Sequence, residues 1–143
     1  PEVIERNIGV SREYNSFELV DAVAARDAAK VFRILAYFRS NPKAVPLVMA
    51  AASIFNLFAD VLTAYYAADR SDSGLMAELN LRNSFALKRI RLAMSRYTAA
   101  QTVEIISAIR NFDVQSKGVG SRQSDQMLFH DLIYHILSAT GRL

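Results

Sequence analysis

Between Pro46 and Ala68 the chain is almost wholly apolar, interrupted only by Ser53, Asn56, Asp60 and Thr63. At 100° per residue these four fall at steps of three and four on one narrow stripe, which is the signature of a helix that wants water on about a quarter of its circumference. A membrane span is the first alternative, but Asp60 and the regular polar stripe argue against it, and no comparable second span exists. Two readings of the segment stay open. In one it is simply the central core helix. In the other, a domain this small cannot surround a long helix on every side. Part of Leu47, Val48, Phe55, Phe58, Val61, Leu62, Tyr65 and Tyr66 is then expected to face another subunit.

Elsewhere too, apolar residues recur at helical rather than alternating spacing, and no β-branched run is bounded by hairpin turns. The pattern predicts an all-α, compact bundle of six to eight helices, over about 2–8, 15–25, 28–40, 45–68, 75–80, 84–97, 99–115 and 124–138. Asn41-Pro42 stops the third helix, 69–74 reads as a polar loop, and 117–121 separates the last two helices. Thr98 with Gln101 forms a capping-box pattern, and Ser124 can cap the final helix. With 143 residues the chain is long enough to bury a stabilising core, and the absence of cysteine excludes a disulfide framework or a thiolate zinc site. The stretch 1–13 is a short charged helix and polar tail that reads as the end of a preceding domain, with 14–143 as the helical domain proper.

Charge is unevenly placed. Between Leu81 and Arg122 stand Arg82, Lys88, Arg89, Arg91, Arg96, Arg110, Lys117 and Arg122, opposed only by Glu104 and Asp113, in a chain whose total is +3. Such a surplus reads either as a solvated helix face or as a surface for a polyanion or acidic partner. On the 84–97 helix the main apolar face is Ala86, Leu87, Ile90, Ala93, Met94 and Tyr97. Phe85 and Leu92 lie off that face, with Arg82, Arg89 and Arg96 on one side and Lys88 and Arg91 on the other. An aromatic flanked by guanidinium groups suits a protein partner's rim or a single strand with bases to stack; a second buried contact with the arginine stems packed over it is the alternative. The last helix is a cleaner amphipath, with Leu128, Phe129, Leu132, Ile133, Ile136 and Leu137 on one face.

No catalytic constellation emerges. His130 and His135 are spaced by five, so they do not stack on one helix face as a metal pair would, and Asp131 with His135 reads as a surface pair. No H-E-x-x-H, G-x-S-x-G, P-loop or dinucleotide fingerprint occurs. Asp60, the one carboxylate in the apolar helix, is expected to bond a neighbouring Ser, Tyr or Arg rather than to carry acid-base chemistry. No cofactor, metal or catalytic residue is expected, and binding and assembly remain.

Several runs together resemble a known family. Val3-Ile4-Glu5-Arg6-Asn7-Ile8-Gly9-Val10-Ser11, Tyr14-Asn15, Phe17-Glu18-Leu19-Val20-Asp21-Ala22 and Lys30-Val31-Phe32-Arg33-Ile34-Leu35 look like the lid-to-collar junction of the delta subunits of the bacterial DNA polymerase III clamp loader. The stretch Asn83 to Ala93, the turn Asp113 to Gly118 and the helix Leu128 to Leu137 are similar in order and spacing to that family's C-terminal domain. The resemblance spans about Val3 to Ser138. It implies that 1–13 is the tail of an AAA+ lid domain and that 14–143 is a collar-type oligomerisation domain. It implies no active site in this piece, a cytoplasmic location with no membrane partner, and a parent complex that is a DNA-directed DNA polymerase holoenzyme, a nucleotidyltransferase. The implied partners are delta-prime and the ATPase subunit through the collar, and the sliding clamp through an N-terminal module that this sequence lacks. DNA is a further implied neighbour. On that reading Phe55, Phe58, Leu62, Tyr65, Tyr66, Phe85 and Leu92 are the candidate subunit interface, and Arg82, Lys88, Arg89, Arg91 and Arg96 the candidate DNA-proximal residues. The competing reading is a helical nucleic-acid-binding domain using the basic 82–96 helix around Phe85.

Overall fold

Among the described residues, six of the seven helices begin where a small polar side chain accepts an otherwise unpaired amide of the first turn. The structure is a computed structural model and describes residues 13–117 and 124–138. Asn15 caps α1 (Ser16–Ala25) and Asp27 caps α2 (Ala28–Ser40), accepting from the Glu18 and Lys30 amides at 2.9 and 3.1 Å. α3 (Leu47–Tyr65) follows Pro46 with no side-chain cap. Ser71, Asn83 and Ser124 cap α4 (Asp72–Glu78), α5 (Ser84–Arg96) and α7 (Asp125–Leu137). At α6 (Ala99–Ser116) the capping box forms in full: Thr98 accepts from the Gln101 amide, and the Gln101 side chain accepts from the Thr98 amide. Among the described residues the fold is therefore seven helices with no strand. The predicted helix over 2–8, nearly all of the predicted 1–13 tail and the glycines of the 117–121 turn lie outside the described residues.

Two helices differ from the sequence expectation by more than one residue at their ends, for local reasons. The helix expected at 75–80 is observed at 72–78, because Asp69 accepts from the Ser71 amide and Ser71 from the Gly74 amide, which starts the turn early. Gly74 is required there, since a Cβ would lie 2.6 Å from the Asp69 carbonyl oxygen. α3 stops at Tyr65 rather than 68. Its last carbonyls are taken up by the Tyr66 amide, and the Arg70 guanidinium donates to the Tyr65 carbonyl.

α3 is the hub: α1, α5, α6 and α7 all pack against it. Its buried face is Ala50, Ala51, Ile54, Leu57, Phe58, Val61 and Ala64. Among the described residues it is the one helix long and apolar enough to cross a membrane, yet 39% of its most apolar stretch is buried inside this bundle. The polar stripe stays on the outer side, where Ser53 and Thr63 donate to the Met49 and Ala59 carbonyls of their own helix. The six apolar residues of the α7 face, from Leu128 to Leu137, are all buried, and Phe129 meets Phe112 of α6 edge-on at 5.7 Å.

Tyr97 and Arg26 tie the centre together. The Tyr97 ring is buried and meets Phe58 edge-on at 5.0 Å, and its hydroxyl donates to the Val23 carbonyl at 2.8 Å. The Tyr65 hydroxyl donates to the Met94 and Tyr97 carbonyls. Arg26, in the left-handed region at φ 56° just after α1, lays its guanidinium 5.1 Å from the Tyr97 ring centroid. The same group donates to the Leu137 carbonyl at the end of α7, at 2.6 and 3.0 Å, and to the Arg96 carbonyl at the end of α5, at 3.1 Å. One cation thus serves the negative ends of two helices and closes a third.

Candidate functional site

Two surfaces stand out. The first is a groove between the N-terminal half of α3 and the C-terminal half of α6, which run antiparallel. Val48, Ala51, Ala52, Phe55 and Asn56 line it from α3, and Ile109, Arg110, Phe112, Asp113 and Val114 from α6, around a volume of about 520 Å³. Ala51, Ile109 and Phe112 form a buried floor, whereas Val48 and Val114 are half exposed on the rim. Water in this groove gains little from its walls, and covering it releases that water. Its charges are unequal. Asp113 is paired with Lys117 at 3.0 Å, whereas Arg110 has no ion-pair partner among the described residues.

The second surface is the end of the α1/α5 pair. The ion pair Arg89–Asp21 at 2.6 Å and the bond from Arg26 to the Arg96 carbonyl set these helices side by side and parallel. That register carries Phe17 and Phe85, 69% and 75% exposed, to the same end of the pair. The Lys88 ammonium lies 5.8 Å from the centroid of the Phe85 ring. Arg82 is exposed nearby in sequence, as is Arg96 at the far end of α5.

The residues singled out from sequence do not form one site. Phe58 is fully buried against Tyr97, so it belongs to the core and offers nothing to a partner. Tyr65 is spent on its two carbonyl bonds. Phe55 lines the groove, Leu62 is half-buried, and Tyr66, Phe85 and Leu92 are exposed. Among the cations, Arg89 holds Asp21, and Arg91 holds Asp72 and the Arg70 carbonyl, so both brace the fold while Arg82, Lys88 and Arg96 face outward. Ile109, Phe112 and Val114 carry no mark in the sequence pattern, and Arg110 stands out there only as one cation of the basic 81–122 stretch. The available signal was the apolar content of α6 on both flanks, which one helix face in one core does not need.

Asp60 is half-buried and has no bonded partner among the described residues, contrary to the expected tie to a neighbour; burial raises its carboxyl above the ordinary range. A raised folded-state value means the charged form weakens the fold, and that penalty grows as pH rises through the shifted range. Asp60→Asn is therefore expected to raise the melting temperature by about 1–2 °C at pH 7 and to change it little below the ordinary carboxylate range. Thermal melts at the two pH values check this, and equal gains at both would contradict it.

Among the described residues no group of three or more His, Asp or Glu is placed to hold a metal ion. A shallow cleft between α6 and α7 brings Glu104, Asp131 and His135 to one side of the fold, over a floor that includes the buried Phe112, Leu128 and Leu132. His130 instead lies against the Phe32 ring at 5.6 Å. No protein-family model matches the chain, and no curated protein or solved structure matches it.

Proposed function

We propose that this chain is a non-catalytic assembly domain, the collar part of a clamp-loader delta subunit. It joins the helical domains of delta-prime and of the ATPase subunit so that the loader can place a sliding clamp on primed DNA. The observation that carries this reading is the α3/α6 groove, an apolar trough with half-exposed walls on the most apolar helix of the chain. The order and spacing of the runs from Val3 to Ser138 support the choice of family. Association would draw on buried apolar area at roughly 25 cal/mol per Å², less the cost of lost translational and rotational freedom, so a single such contact is weak and the full collar gains by using several.

Titrating the chain into the loader's ATPase subunit by calorimetry tests the proposal. Binding with a Kd on the order of 10–100 μM, little changed by salt, is expected. Val48→Asp places a charge on the exposed rim and should weaken binding at least tenfold while leaving the fold intact. No heat at about 500 μM would defeat the proposal.

A second reading has its own observation, the pairing of Phe17 and Phe85 at one end of α1/α5 beside Lys88. Stacked bases over these rings, with Arg82 and Lys88 on phosphates, would make a short single-strand site. Its affinity should then fall with a log–log salt slope of about −1.4 for two phosphates, unlike apolar docking.

A further inference from the structure

The outer side of α7 carries a strip that matches the groove. Met127, Asp131 and Tyr134 stand at steps of four and three, which places them within about 60° of one another on the helix. All three are exposed, Met127 at 55% and Tyr134 at 54%. An aromatic and a methionine one turn either side of a carboxylate is the anchor spacing with which an amphipathic helix enters an apolar trough. The remaining titratable neighbours of the strip are His130 and His135 on the same helix and Glu104 across the α6/α7 cleft.

We propose that the α3/α6 groove receives α7 of a second copy of this chain, with Met127 and Tyr134 seated on the apolar floor and Asp131 of one copy paired with Arg110 of the other. The charges select this occupant. Arg110 and Asp131 both lack an ion-pair partner among the described residues, while the groove's own acid, Asp113, is neutralised by Lys117. Geometry makes the contact one between copies. Within a copy, Arg110 lines the flank of α6 that faces α3, whereas Asp131 lines the cleft on the flank that faces α7. Because donor strip and acceptor groove are different surfaces, the contact is head-to-tail and can repeat from copy to copy. The inference rests on reading the groove as a helix-docking surface and supplies its occupant.

Sedimentation velocity of the whole chain from about 10 μM to about 1 mM tests it, a range set by the weak affinity expected of one small contact. The mean mass should rise with concentration. Arg110→Glu and Asp131→Lys change exposed side chains and should each leave the circular dichroism spectrum unchanged while weakening self-association at least tenfold, since each sets like charges opposite one another. Mixing the two variants brings Asp131 to Arg110 and Lys to Glu, so association should return only in the mixture. A wild-type chain monomeric at about 1 mM would overturn the inference, as would association that the variants leave unchanged or that mixing fails to restore. Failure here with binding to the ATPase subunit intact removes the second copy as occupant and leaves the assembly reading standing; failure of both removes both.

Discussion

Tyr97→Ala is expected to cost about 3–5 kcal/mol of stability, lowering the melting temperature by roughly 10–20 °C. The ring fills the space between Phe58, Val23 and the Arg26 guanidinium, and nothing nearby is free to collapse into the vacancy, because Phe58 and Val23 are themselves completely buried. Tyr97→Phe separates the ring from its hydroxyl. The Val23 carbonyl still accepts the Arg26 amide at 2.9 Å, so losing the phenol costs only about 1 kcal/mol. Urea unfolding of the three proteins checks the ordering, and a Phe variant as damaged as the Ala variant would contradict it. Burial pushes the Tyr97 phenol well above its ordinary range, with Arg26 opposing. Stability from keeping that phenol neutral is complete below the ordinary tyrosine value and is lost as pH climbs above it.

Arg26→Ala is expected to cost about 2 kcal/mol and to do so unevenly. The substitution strips donors from the Leu137 and Arg96 carbonyls at once and removes the cation from the face of Tyr97. Amides in the last turn of α7 should lose hydrogen-exchange protection first, since that turn has its end carbonyl held by Arg26. Arg26→Gly removes the same bonds but occupies the left-handed conformation without strain, so it should be less damaging than alanine by up to about 1 kcal/mol. An alanine variant as stable as the unsubstituted protein, with α7 unaffected, would show that the side chain carries none of the load, and equal alanine and glycine variants would show that the left-handed backbone costs nothing.

The features legible in sequence are those that depend on neighbours within one turn or on one helix face. Asn15, Asp27, Asn83, Thr98 and Ser124 act locally, so the starts of their helices can be read from the order of residues alone, whereas the start at Ser71 is hidden in a run that reads as a polar loop. The inner face of α7 follows from periodicity in the same way. What escapes is whatever two distant segments decide together. Phe58 and Phe55 share one apolar helix and look alike in sequence, yet one meets Tyr97 and the other lines a groove. Arg89 and Arg91 read as members of a cationic face until Asp21 and Asp72, 68 and 19 residues away, are seen to hold them. Arg26, set between a helix and an aspartate, reads as an ordinary loop cation. Its role depends on where two other helices end. The groove is a product of pairing α3 with α6, so no single periodicity announces it.

The bond from Arg26 to Leu137 joins residues 111 positions apart. During synthesis from the N-terminus, the first described helix is finished long before its distant acceptor exists. The nascent chain must therefore hold its early helices without this closure until α7 has left the ribosome, which sets the earliest moment at which the Arg26 bond can form.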